Sequence, residues 1–122
     1  MKVKNIIKKM STVLLLITLT ISLAACGAKH QGVKPDKDPK KLVQDKNYTQ
    51  DLKKEKEVKD GQIYLQNNTV MCVIVVKDNV KKADAKELLN KYAKELKKAY
   101  KNMPIDAIAT QNGKYIGNIT LK

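Results

Sequence analysis

The side chains of this chain best suited to covalent chemistry are two thiols and one imidazole. The first thiol, Cys26, directly follows Leu23, Ala24 and Ala25 at the end of an uncharged run. The small side chains of the two alanines would let a processing enzyme bring the backbone close, and a thiolate is the nucleophile that forms a thioether. The residue types around Cys26 therefore suit processing and thiol chemistry at this point of the chain.

The second thiol and the single imidazole do not form an obvious catalytic pair. Cys72 lies in the apolar run TVMCVIVV, which is typical of a small hydrophobic core residue. His30 lies four residues after Cys26, outside the part expected to fold, so a Cys-His pair would require His30 to fold back onto Cys72. No serine follows Cys26, which excludes a Ser-His-Asp triad in that part of the chain.

The remaining residues give little support to other catalytic chemistry. A zinc site lacks imidazole and thiolate ligands, and the five glycines are scattered rather than grouped in a phosphate-binding loop. A carboxylate-only enzyme would have to use the acids of the expected folded part, which are Asp78, Asp84, Glu87, Glu95 and Asp106. We therefore expect a protein that is not an enzyme and that binds no metal.

The first 25 residues have the pattern of an export signal. Four lysines and no acid occur in MKVKNIIKKM, and the next fifteen residues, STVLLLITLTISLAA, carry no charge. A retained membrane helix is the alternative, because Met10 to Ala28 is uncharged and nearly reaches the roughly 20 residues that span a bilayer. Serines and threonines dilute this run, so the pattern favours a cleaved signal peptide over residues 1–25.

The sequence Leu23-Ala24-Ala25-Cys26 resembles the lipobox of bacterial lipoproteins. This resemblance implies that diacylglycerol is attached to the sulfur of Cys26, that the signal is cut just before it, and that the protein is held at the extracytoplasmic face of the cell membrane. Gly27 at the second mature position, and 25 lysines without an arginine, favour a Gram-positive host. We expect no other cofactor and no nucleic acid as a partner.

Composition divides the mature chain into two parts. The net charge falls from +13 to +9 when residues 1–25 are removed, because they hold four lysines and no acid. Residues 26–60 contain the lipidated cysteine, ten lysines, seven acids and few apolar side chains. Such a segment buries too little surface to offset its conformational entropy, so we expect a flexible tether.

Residues 61–122 predict a small α+β domain of hairpin, helix and hairpin. Asn67-Asn68 and Asn112-Gly113 each separate two runs of strand-forming residues, as in tight hairpins. Between them, residues 84–102 repeat apolar side chains with a helical period. Asp84 and Glu87 resemble the capping box that starts a helix. The expected architecture is a mostly antiparallel sheet covered by one helix.

Two surfaces of this domain are candidates for binding. The strand TVMCVIVV is apolar on both faces, so one face would need a partner; the candidate residues are Val70, Cys72, Ile74 and Val76. Helix lysines could instead bind anionic wall polymer or lipid headgroups; the candidates are Lys91, Lys94, Lys97, Lys98 and Lys101. Solubility alone would also account for those lysines.

The layout of lipobox, charged tether, lysine-rich helix and terminal strand pair is similar to that of small sporulation lipoproteins of endospore-forming bacteria. The likeness covers residues 61–122 and carries no catalytic residues. We expect a membrane-anchored interaction module of the immunity, exclusion or envelope-assembly type. Its partner would be an envelope protein or a second copy, with electrostatic binding of an anionic polymer or lipid as the alternative.

Overall fold

The computed structural model describes residues 27–122, and the predicted signal peptide and Cys26 lie outside this range. Seven elements follow one another along the chain, and they define an α+β fold as predicted. They are β1 (Val43–Gln44), α1 (Lys46–Lys54), β2 (Val58–Gln66), β3 (Thr69–Val76), α2 (Lys82–Ala99), β4 (Ile105–Gln111) and β5 (Lys114–Leu121).

The five strands lie in the sheet in the order in which they occur in the chain. Three of the four neighbouring pairs are antiparallel, and β3 and β4 are parallel because α2 connects them as a crossover. The two predicted hairpin turns are confirmed. Asn67 and Asn68 have φ of 54° and 59°, and Asn112 and Gly113 have φ of 53° and 75°. These positive values suit asparagine and glycine.

Both helices pack on one face of the sheet, with α1 against β2 and α2 mainly against β4 and β5. The apolar stripe predicted for the long helix is confirmed, since its leucines, Tyr92 and Ala93 are buried. The helix begins at Lys82, however, and Lys81 at its N-cap makes no side-chain capping bond. The predicted capping box at Asp84 and Glu87 is therefore wrong, and Asp84 instead lies in the first turn.

The prediction of a flexible tether is wrong for the part of residues 26–60 that contains β1, α1 and the start of β2. Only three residues of α1 are buried, namely Tyr48, Thr49 and Leu52. Such a sparse apolar content predicts disorder, but Thr49 and Leu52 pack on β2, and Tyr48 bonds Glu95 of α2. The buried carboxylate of Asp45 caps the helix. The domain therefore has one more strand and one more helix than the sequence predicted.

Close approach of α1 to the sheet depends on the absence of a side chain at Gly61. A Cβ atom there would lie 2.5 Å from Cδ2 and 2.8 Å from Cγ of Leu52, both too short for real contacts. Thr49 adds a polar link, because its hydroxyl donates to the carbonyl of Ile63 and accepts from the N–H of the same residue. These contacts fix the first helix on β2.

Candidate functional site

The four residues predicted to form a partner-binding face are buried in the core. Val70, Cys72, Ile74 and Val76 are each 0% exposed, beneath the two helices. β3 has a partly uncovered apolar face, as predicted, but the prediction assigned this face to the wrong alternate residues. The partly exposed set comprises Thr69, Met71, Val73 and Val75.

The register of the first hairpin contains the signal that identifies the covered face. The two-residue turn pairs Leu65 with Val70 and Ile63 with Cys72. In β2 the aliphatic residues Ile63 and Leu65 alternate with Gln62, Tyr64 and Gln66, so the covered face of β2 can be read from sequence. Pairing across the turn transfers that face to β3, because directly paired residues point to the same side of a sheet.

The face of the sheet opposite the helices, which we call the open face, is apolar at its centre. Five partly exposed side chains from three adjacent strands meet there; they are Tyr64, Met71, Val73, Val75 and Ile108. The register places Tyr64 beside Met71, and Val73 beside Ile108. Polar residues border this centre on β1, β2, β4 and β5; they are Gln44, Gln62, Asp106, Thr110, Asn118 and Thr120.

Charge is distributed unevenly between the two layers. None of the eleven open-face residues is a lysine, although the chain contains 25. The two helices together carry nine lysines against four acids, whereas the five strands carry two of each. The helix layer of the domain is therefore strongly basic. The open face is apolar at its centre and contributes no lysine among these eleven residues, although Lys53 of α1 lines a depression together with Gln62, Val73 and Val75.

The predicted lysine surface is only partly formed. Lys91 donates to Glu55 at 2.8 Å, and Lys98 lies 3.9 Å from Glu95. These lysines and Lys94 share one face of α2, because they are spaced three and four residues apart. The other two candidates, Lys97 and Lys101, do not join them: the Lys97 ammonium donates to the carbonyl of Met103 at 2.9 Å, and Lys101 lies beyond the end of the helix.

Residues 27–33, which we call the N-terminal segment, lie across the helix layer rather than apart from the domain. The N–H of Lys29 donates to Oε1 of Glu95 in α2 at 2.6 Å, and the Lys29 ammonium lies 3.2 Å from Oδ2 of Asp51 in α1. The N–H of Val33 donates to the phenol oxygen of Tyr100 at 2.9 Å. The segment therefore contacts both helices.

His30 belongs to the folded part, contrary to the prediction, and it does not approach Cys72. Its Nε2 lies 2.6 Å from Oδ2 of Asp51, and its ring meets that of Tyr48 edge-on with centroids 4.9 Å apart. Burial would raise the pKa of the Asp51 carboxyl, but the hydrogen bonds from His30 and Lys29 outweigh it and lower that pKa. His30 therefore has a structural partner and not a nucleophile beside it.

A surface groove of about 380 Å³ separates the two helices next to the N-terminal segment. Its polar groups bind one another: the phenol of Tyr48 donates to Glu95 at 3.1 Å, and that of Tyr92 donates to Glu55 at 3.1 Å. Burial raises the pKa of Tyr48 to about 12, so its hydroxyl remains a donor at neutral pH. The acids and phenols that line the groove are thus paired with one another or with Lys29, Lys91 and His30, and Lys54 and Lys56 line it as well.

The second thiol, that of Cys72, belongs to a core residue, as predicted. It is 0% exposed, and burial raises the pKa of its thiol to about 12. A thiol that stays protonated at neutral pH is a poor nucleophile.

Residues 27–122 contain neither a metal-binding cluster nor a membrane-spanning helix. No group of three or more His, Cys, Asp or Glu side chains in this range is arranged to hold a metal ion. None of the helices in the same range is long and apolar enough to cross a membrane. No protein-family model matches the chain, and comparisons with curated proteins and with solved structures gave no match.

Proposed function

We propose that this chain is a bacterial lipoprotein, attached through Cys26 to the extracytoplasmic face of the cell membrane, whose domain is a non-catalytic protein-binding module. The lipobox-like sequence before Cys26 supports the attachment. The immunity, exclusion and envelope-assembly classes remain the relevant kinds of role, since each requires recognition of another protein and no chemistry.

The observation that carries the binding proposal is the composition of the open face. In a chain with 25 lysines, the eleven open-face residues include none, while five of them are apolar and partly exposed. Soluble sheets that face water usually alternate apolar and polar residues, with the polar set outside. β3 instead presents Met71, Val73 and Val75 on its outer side. An apolar patch with a polar rim is typical of a protein interface.

The shape and chemistry of the open face favour a protein as the ligand. Small molecules bind in concave pockets of roughly 300–1,000 Å³, whereas the open face is the surface of a sheet with a smaller depression of about 250 Å³ beside Val73 and Val75. An anionic polymer would require cations, which the eleven open-face residues lack. The partner would present a flat apolar surface of its own.

Capture from envelope extracts tests this proposal. Residues 27–122, which contain the whole described fold, would be used as bait across a salt series. A discrete protein retained at about 0.5 M salt, where the Debye length is only a few Å, is the expected result. The change Val73→Lys should abolish capture, because it places an unpaired charge in the apolar centre. The matched control is Gln50→Lys, which adds the same charge to the exposed surface of α1.

A second candidate function is electrostatic binding through the helix layer. The excess of nine lysines over four acids in the two helices favours it. Retention of anionic wall polymer or lipid that disappears as salt rises, and that is insensitive to Val73→Lys, would support this function over protein recognition.

A further inference from the structure

The N-terminal segment fixes where a lipid attached to Cys26 would leave the domain. Only Gly27 and Ala28 separate Cys26 from Lys29, whose backbone and side chain both contact the helices. Three residue steps span at most about 11 Å. A tether of the predicted length would have allowed any orientation on a membrane, whereas this short connection does not.

The N-terminal segment packs closely on the end of α2 because residue 32 is a glycine. A Cβ atom at this position would lie 2.7 Å from Cε1 and 2.9 Å from Cζ of Tyr100, and 3.0 Å from the carbonyl oxygen of Ala99. The segment therefore packs directly on the end of α2. Together with the contacts of Lys29, His30 and Val33, this close packing holds the segment on the helix layer.

Exposed lysines surround the same part of the surface. Four of them line the groove beside the segment, and two more share the face of α2 that contains Glu95. We call this set the anchor-side lysines: Lys29, Lys54, Lys56, Lys91, Lys94 and Lys98. Three acids lie among them, Asp51, Glu55 and Glu95, so this set has a net charge of +3. An adjoining depression brings three further acids beside Lys56 and Lys91, namely Glu57, Asp84 and Glu87.

We infer that the domain lies with its helix layer against the membrane, so that the anchor-side lysines bind anionic phospholipid headgroups and the open face points away. This inference rests on the proposed attachment of lipid to Cys26. The same acyl chains that hold the protein would keep the side that carries these lysines near the headgroups, and attraction between charges extends over about one Debye length, roughly 8 Å, in physiological salt. Lysines near an anionic leaflet are attracted to it.

The location of the chain end favours lipid over wall polymer as the occupant of this surface. A wall polymer could approach any basic surface of the domain, whereas the membrane must meet the side from which the anchor emerges. Two lysines at the end of the sheet, Lys59 and Lys77, line a separate surface depression with Asp78 and Asn79 and provide an internal comparison.

Lysine footprinting of the lipidated full-length protein tests the orientation. The protein would be purified from host membranes and placed in vesicles of phosphatidylglycerol and phosphatidylcholine, then acetylated and analysed by mass spectrometry. We expect the anchor-side lysines to react about fivefold more slowly than in detergent, and the protection to disappear near 0.5 M salt, where the Debye length is only a few Å. Lys59, Lys77 and Lys114 should react equally in both.

Further variants test separately whether protection of the lysines requires docking of the N-terminal segment and whether it requires their charge. Gly32→Val should release the segment and equalise the footprint while the protein stays in the membrane, and slow alkylation of buried Cys72 would verify that the core is intact. The pair Lys54→Gln/Lys94→Gln should reduce protection of the other anchor-side lysines. The control pair Lys77→Gln/Lys114→Gln removes the same charge and should leave that protection unchanged.

Some results would overturn the orientation alone, and others would overturn the lipid anchor as well. A membrane-bound protein whose lysines are all protected equally, or not at all, would overturn the orientation and leave the lipid anchor standing. Protection by added anionic wall polymer but not by anionic vesicles would also overturn it. A protein that carries no lipid on Cys26 would overturn both the anchor and the orientation.

Discussion

The phenol of Tyr100, just after α2, donates a 2.5 Å hydrogen bond to the buried carboxylate of Asp45, the residue that caps α1. The other oxygen of this carboxylate accepts the N–H of Tyr48 at 3.1 Å. Because the phenol oxygen also accepts the N–H of Val33, one side chain joins both helices and the N-terminal segment. Burial and the bond to Asp45 raise the pKa of Tyr100.

Changing Tyr100→Phe should destabilise the domain by about 1–3 kcal/mol, because a buried charged acceptor loses a donor. Urea denaturation of residues 27–122 would measure the loss, since small single domains usually unfold in one step. The control is Tyr64→Phe, which removes the same atom from a phenol that makes no hydrogen bond within the described residues; we expect a change within about 0.5 kcal/mol. Equal effects of the two changes would contradict the role of Tyr100.

Changing Gly61→Ala should also destabilise the domain, by about 1–3 kcal/mol, because the new Cβ would displace Leu52 and lift α1 from β2. The matched control is Gly117→Ala in β5, where a Cβ would meet Cδ1 of Leu89 at 3.6 Å, an ordinary contact. That change should be neutral or slightly stabilising, because alanine restricts the unfolded chain. Urea midpoints of the two variants give the comparison, and a tolerated alanine at position 61 would contradict the close packing.

The sequence was sufficient to predict those elements of the fold that depend on residues close together in the chain. The turns at Asn67-Asn68 and Asn112-Gly113 are set by residues that accept positive φ, so the sequence was sufficient for them. The apolar stripe of α2 was equally predictable from its helical period. By contrast, α1 has two large buried apolar side chains, and its stability depends on contacts with Gly61 and Ile63 that no local pattern reveals.

The candidate site was harder to predict because β3 is apolar on both sides. Its own sequence gives no preference between the set containing Cys72 and the set containing Val73. The hairpin register resolves the choice, because Ile63 faces the core and is paired with Cys72. The docking of His30 on Asp51 had no signal in the sequence, since it joins residues 21 positions apart in a segment of disorder-like composition.

Thiol labelling tests which face of β3 is covered. In residues 27–122, Cys72 should react very slowly with iodoacetamide near pH 8, because burial raises its pKa to about 12 and blocks access. Moderate urea should accelerate the reaction by unfolding the domain. The control is the double change Cys72→Val/Val73→Cys, which moves the thiol to the adjacent residue on the open face and should react readily. Slow labelling of both proteins would contradict the assignment of the open face.

The acid dependence of stability should report the contacts of Asp51. Its pKa is lower in the folded state than its usual value of 3.8, so the carboxylate stabilises the fold above that value. This stabilisation is lost as the pH falls below 3.8 and through the lowered pKa. The change Asp51→Asn should therefore cost stability at neutral pH, and the difference from the unmodified protein should shrink in acid.

Urea midpoints of the unmodified protein and of Asp51→Asn, measured between about pH 2.5 and pH 7, give this difference directly. The control is Glu87→Gln on the exposed side of α2, which removes one negative charge without touching the N-terminal segment. If the Asp51→Asn difference stays constant down to the lowest pH, the ion pair with Lys29 and the hydrogen bond with His30 do not stabilise the fold. A difference that declines only for Asp51→Asn means that acid removes the stabilisation that Asp51 gains from Lys29 and His30.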